Sequence, residues 1–283
     1  MQMMETGRRA FTGLCAALLG LVAASCASLP SSGGGAGERH VTVATADGNA
    51  DALLFLPAGG DPHPAIILWP DLTGLRPAIG DIGRKLAAEG YVVLAPNQFY
   101  RSVALDGSIS AAQPVLPFGE VMQRGAPWRA AASDEAIVAD TRAYTAFLDG
   151  LPQVDRKAGI GTLGVDIGGA HAFIAARSLP DRIKAVAAIH PLAVATSRDT
   201  SPHLHVDRSK AAYLVTIARP DDEREPGDKD DLRSAFANAG LEATVEVVPA
   251  GHGYMIADDP AHDAAAADAA FVQANTLFGQ ALR

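Results

Sequence analysis

The sequence predicts an α/β fold, with a mostly parallel central sheet and helices on both faces. Two continuous apolar runs, Ala65–Trp69 and Tyr91–Ala95, mark strands buried on both faces. Such runs alternate with helical patterns along most of the chain, which is the pattern of a parallel sheet joined by crossover helices. Between an apolar strand and a small-residue helix stands Gly164-Val165-Asp166-Ile167-Gly168-Gly169. Glycines two residues before and after the central position allow a sharp turn that lifts one side chain above the sheet.

Each element follows from its local pattern. Val41–Val43 and Ala52–Leu56 read as strands joined by a turn at Ala46-Asp47-Gly48-Asn49. Ala65–Trp69 is the next strand. Pro77–Gly90 reads as a helix with Ile79, Ile82 and Leu86 on one face and glycine as its stop. Pro96 ends the strand Tyr91–Ala95. Asn97–Arg129 is irregular, with prolines at 114, 117 and 127, and long segments of this kind often serve as functional covers. Ser133–Asp149 reads as a helix with acids in its first turn. The strand Ala158–Leu163 leads into the glycine turn and a helix over Ala170–Arg177. Strands at Ala185–Ile189, Ala212–Ile217 and Ala243–Val248 follow, with helices at Asp231–Ala239 and Ala261–Leu282.

Composition limits the function classes. The 283 residues carry 23 basic and 32 acidic side chains, a net charge of −9, which argues against nucleic acid as a partner. The N-terminus reads as an export signal: Arg8-Arg9 precede an apolar run, Leu14–Ala24, short for a membrane span. The run ends in Ala23-Ala24-Ser25-Cys26, which resembles a bacterial lipobox with Cys26 as the lipidated residue. Residues 1–25 carry Glu5, Arg8 and Arg9, a net +1, so their removal leaves −10. Cys15 lies inside that segment, so the mature fold has no disulfide. Residues 26–40 form a Gly/Ser-rich tether. The expected product is a lipid-anchored protein of the bacterial cell envelope, with its folded domain over residues 41–283. The alternative is a soluble secreted or periplasmic protein cut after Ser25 or Ala27.

Ligands of such sheets bind beyond the carboxyl ends of the strands. Asp71, Asp166, Asp221 and His252 all follow predicted strands, so one crevice could hold them. The chain order is turn residue, then acid (Asp221 or Asp222), then His252 in Gly251-His252-Gly253. His203-Leu204-His205 with Asp207 has alternating spacing, but no further ligand cluster supports a metal, and no cofactor motif is evident. His171 reads as a structural or pocket-wall residue.

These segments together resemble the dienelactone hydrolase family of α/β-hydrolases. The likeness runs from about residue 41 to 280 and is most specific at Trp69-Pro70-Asp71-Leu72-Thr73-Gly74-Leu75-Arg76-Pro77. Val154-Asp155-Arg156 and Gly251-His252-Gly253-Tyr254 match as well. The resemblance implies hydrolysis of a small-molecule ester or lactone. It implies His252 as the family's histidine and Asp221 or Asp222 as its acid. Asp71 stands at the family's early-loop glutamate, and the backbone amides of Leu72 and Ile167 at its oxyanion hole. Arg101 matches an arginine that helps hold a substrate carboxylate, whereas Ile256 stands where a second such arginine is expected. Family members carry cysteine at the turn, where this chain has Asp166.

That substitution widens the chemistry. A carboxylate attacking an ester carbonyl gives a mixed anhydride, a poor intermediate, whereas it suits saturated carbon. Haloalkane dehalogenases and epoxide hydrolases of the same superfamily carry aspartate there, so that activity is an alternative. Asp166 acting as a base on water is a further route. A catalytically inactive binding protein of the cell envelope is the remaining one.

Overall fold

The computed structural model describes residues 37–104 and 118–282. The export segment, Cys26 and most of the tether lie outside the described residues, as do residues 105–117 of the irregular segment. The strands are β1 (Gly37–Thr45), β2 (Gly48–Leu56), β3 (Ala65–Trp69), β4 (Val92–Pro96), β5 (Ile160–Val165), β6 (Ile183–Ile189), β7 (Ala212–Ala218) and β8 (Ala243–Val248). They form one sheet in the order β1-β2-β4-β3-β5-β6-β7-β8. β1 and β2 make an antiparallel hairpin, β2 runs antiparallel to β4, and every pair from β4 to β8 is parallel.

The helices are α1 (Pro77–Ala88), α2 (Phe118–Arg124), α3 (Ala126–Ala131), α4 (Asp134–Asp149), α5 (Ile167–Ser178), α6 (Arg219–Arg224), α7 (Asp228–Ala239) and α8 (Ala264–Ala281). The sheet divides the apolar side chains between two cores by strict alternation. Ile67, Trp69 and Leu94 face the layer of α4, α5 and α7. Ile66, Leu68 and Val93 face the layer of α1 and α8. Burial on both faces explains why these strands read as unbroken apolar runs. This is the α/β-hydrolase fold.

The differences from the sequence reading are local. Residues 118–131 hold two short helices, because Pro127 falls in the first turn of α3, where a missing N–H removes no hydrogen bond. The stretch after β7 holds α6, too short to leave a periodic signature. His203, His205 and Asp207 lie on a short 3-10 helix, Pro202–Arg208, rather than on a strand. His203 Nδ1 is hydrogen-bonded to Ser201, and His205 Nε2 to the Asp199 carbonyl. Among the described residues no helix is long and apolar enough to cross a membrane.

Candidate active site

Asp166 sits at the junction of β5 and α5 with φ 54° and ψ −123°, a conformation that non-glycine residues rarely adopt. Neighbouring contacts hold it there. The Asp166 amide donates to the Ile189 carbonyl, and its own carbonyl accepts from Gly169 and Leu192. A Cβ at Gly164 would lie 2.0 Å from the Gly168 carbonyl oxygen, and one at Gly168 would lie 2.4 Å from that of Trp69. Both glycines are therefore steric requirements of the turn.

Three loops deliver partners to this carboxylate. After β3, the Leu72 amide donates to Asp166 Oδ2 at 2.8 Å. After β8, His252 Nε2 lies 3.3 Å from Asp166 Oδ1, and its Nδ1 lies 2.6 Å from Asp221 Oδ2. Asp221 is on α6, directly after β7. The imidazole thus bridges two buried acids, each less than a tenth exposed. Burial opposes a charge on His252, but hydrogen bonds and charges of Asp166 and Asp221 outweigh it and hold its pKa up at about 10. At neutral pH the ring is an imidazolium that donates from both nitrogens. Burial would raise the Asp221 pKa, yet the His252 bond and charge, with help from Arg224, hold it below the ordinary carboxylate value.

The sequence profile of the dienelactone hydrolase family matches residues 50–282. The chain belongs to this family. It is accordingly a hydrolase. One relative, a protein of Methylorubrum extorquens provisionally named carboxymethylenebutenolidase, is 28% identical over 247 residues, covering 86% of this chain and 80% of its own. Among solved structures, a provisionally named dienelactone hydrolase of Klebsiella pneumoniae superposes with a TM-score of 0.74 at 18% identity, covering 86% of this chain and 98% of its own. A dienelactone hydrolase-like promiscuous phosphotriesterase from metagenomic libraries gives 0.67 at 18% identity, covering 88% of this chain and all of its own.

Within this dienelactone hydrolase family member, two sequence expectations need correction. Asp222 does not approach His252; its carboxylate pairs with Lys229 at 2.6 Å. Adjacent positions on a helix point about 100° apart, so only one of the two acids can face the imidazole. Arg101 is also committed elsewhere. It donates to both carboxylate oxygens of the fully buried Asp140 at 2.7 and 2.8 Å, and to Asp47 of the β1–β2 turn. With its N–H groups shared between two acids, it is a structural clamp rather than a substrate arginine.

Asp71 sits where expected, buried before Leu72, but it serves the loop. Its Oδ1 accepts from Thr73 and from Arg76 Nη1, the latter at 2.6 Å. Burial raises the Asp71 pKa; Arg76 counters this, while Asp166 adds to it. Arg76 also holds Asp258, which follows the His252 loop, and so ties the two loops together. Ile167 opens α5, where helical amides have no intrahelical acceptor.

Three further residues escaped the sequence reading. Gln98, fully buried after β4, donates from Nε2 to the Asp71 carbonyl and places Oε1 2.9 Å from His171 Nδ1. A carbonyl oxygen only accepts, so His171 carries its proton on Nδ1. Burial lowers the His171 pKa to about 4 and leaves the ring neutral. Arg76 was legible only as part of a motif, not as a buried cation. His190, after β6, has φ 37°, is 1% exposed, and packs its ring 4.9 Å from that of His252. Burial first, then the charge of His252, lowers its pKa to about 3. His190 directly follows Ile189, which pairs with Val165, the residue before Asp166, in the parallel register.

Proposed function

We propose that this protein hydrolyses esters or lactones of small molecules through Asp166, His252 and Asp221, with Asp166 standing where the family carries cysteine. The observation that carries the reading is the His252 ring held between Asp166 and Asp221. An imidazolium cannot act as a base but is ready to act as an acid. Asp166 then takes the opposite part. Its carboxylate accepts a proton from water as the water oxygen bonds to the substrate carbonyl carbon. The resulting oxyanion collapses, the bond to the leaving oxygen breaks, and His252 Nε2–H protonates that oxygen. Neutral His252 recovers its proton from protonated Asp166, which closes the cycle. Leu72 N–H is held by Asp166 Oδ2 at rest. Protonation weakens that charge-assisted bond and frees the amide, with Ile167 N–H, for the oxyanion.

One observation favours a second reading. With Oδ2 held by Leu72 N–H at 2.8 Å, Oδ1, which takes only the longer 3.3 Å contact from His252 Nε2, is the oxygen that would attack a saturated carbon and displace a halide or open an epoxide. The ester so formed removes one of the two charges that keep His252 protonated, so the ring can deprotonate and activate water. That water would attack the Asp166 carboxyl carbon with its oxyanion at Leu72. Turnover in ¹⁸O-water separates the two. Base catalysis leaves the Asp166 peptide unlabelled, whereas the nucleophilic route loads ¹⁸O into its carboxylate. A panel of nitrophenyl esters, lactones, epoxides and haloalkanes supplies the substrates. No turnover on any of them, with unaltered folding of Asp166→Ala, would instead support a binding role.

We also propose that the protein is exported and anchored to the cell envelope through lipidated Cys26, on the strength of the apolar run that stops at that cysteine. Palmitate labelling should vanish in Cys26→Ser; a label that persists refutes the anchor.

A further inference from the structure

A cavity of about 450 Å³ lies beside the elbow. Its lining includes Leu72 and Ile167, the residues whose amides flank Asp166. Ile167, Ala170 and Ile174 fall on one face of α5, so an apolar strip runs from the elbow along the helix. Two cations stand on the same wall: Arg129 of α3, and Arg198 from the segment after β6.

Among the described residues neither arginine has a carboxylate partner. Arg129 donates from Nη2 to the Met122 carbonyl at 2.6 Å. Its Nη1 is buried and has no hydrogen-bond partner. A buried donor on a charged group is costly to leave unpaired. Arg198 is exposed at the rim. The acid on this wall is already neutralised, because Asp134 accepts from Arg177 at 2.6 Å. His171, also on the wall, is a neutral ring bonded to Gln98. Neither Asp166 nor Asp71 lines the cavity. The wall therefore combines an apolar strip with an excess of positive charge and one unused buried donor.

We propose that this cavity is an anion subsite, in which Arg129, with Arg198 at the rim, holds a carboxylate at the far end of a short aliphatic acyl chain. The preferred substrates are then half-esters of aliphatic dicarboxylic acids. The ester carbonyl sits at the Leu72 and Ile167 amides, and the methylenes lie on Ala170 and Ile174. Arg101, the position that family resemblance assigned to a substrate carboxylate, does not line this cavity. The inference rests on the ester reading above and adds the substrate class to it.

The test pairs the monomethyl esters of succinate, glutarate, adipate and suberate with methyl esters of uncharged straight-chain acids of equal length. The readout is the ratio of kcat/KM, charged over uncharged, within one preparation, so a loss of folded protein cancels. The parent should favour the half-ester by at least about tenfold at the best length. Arg129→Gln should lower that ratio by about 10- to 100-fold, the range for a hydrogen bond to a charged group. Arg129→Lys keeps the charge but loses the planar fork, so it should fall between the two. Arg198→Ala should lower the ratio only about two- to fivefold, and less at high salt, because that side chain is exposed. Arg101→Leu should leave the ratio where it is. A parent ratio of one or below, a ratio unmoved by Arg129→Gln, or an equal loss in Arg101→Leu overturns the subsite while leaving ester hydrolysis standing. Calorimetric titration with glutarate separates the two readings if no ester is turned over. Glutarate binding that disappears in Arg129→Gln keeps the anion site while the ester reading falls. Binding that is absent, or indifferent to Arg129→Gln, overturns the site as well.

Discussion

Two acid clusters in this molecule use similar ingredients with opposite balance. Around Arg101, Asp140 and Asp47 meet a guanidinium whose charge never leaves, and Tyr100 Oη adds a further bond to Asp140. Around His252, Asp166 and Asp221 meet an imidazolium, with Asp71 nearby to press the acid excess. The first cluster pins the β1–β2 turn to α4 and holds no transferable proton. The second holds one proton between two acids, within reach of a strained turn. The cation's chemistry, not the number of ion pairs, separates a clamp from a reactive centre.

The comparison breaks most visibly at Asp166. Asp166→Asn keeps an oxygen for the Leu72 amide but removes the base, so kcat/KM should fall by about 10³. Circular dichroism and the urea midpoint should stay near those of the parent. Activity within tenfold of the parent would remove Asp166 from the chemistry.

Arg101 should behave in the opposite way. Arg101→Leu leaves the fully buried Asp140 without its cation, which should cost about 3–5 kcal/mol of stability. Turnover per folded molecule should not change. A selective rise in KM for carboxylate-bearing esters, with stability intact, would return Arg101 to the substrate site.

The sequence made the sheet legible because strands buried on both faces leave long apolar runs, and the elbow legible because its glycines are steric necessities. Leu72, Asp166 and His252 were found because each follows a strand within a recognisable motif. Asp222 was not separable from Asp221, since nothing in Arg219–Arg224 announces a helix that aims one acid inward and the other at Lys229. Arg101 matched by position along the chain, but the acids that capture it come from residues 47 and 140, distant in sequence. Gln98 and His190 carry no local signature at all. Their roles exist only once parallel strands bring the ends of β4, β3, β5 and β6 side by side.

The finest form of the comparison lies between the two adjacent acids of α6. His252 titrates at about 10, raised from its ordinary 6.5. A raised value means that its contribution to stability is complete below pH 6.5 and is lost as pH climbs to about 10. If the imidazolium is the acid, kcat/KM falls over the same alkaline limb. Asp221→Asn removes one of the two charges that hold the proton, so that limb should move down by about 1–3 pH units. Asp222→Asn breaks only the partly exposed pair with Lys229, so it should cost about 0–1 kcal/mol and leave the limb in place. A pH–rate profile of the two variants side by side decides this. Equal shifts in both would mean that net charge on α6, not the Asp221 bond to Nδ1, governs the ring.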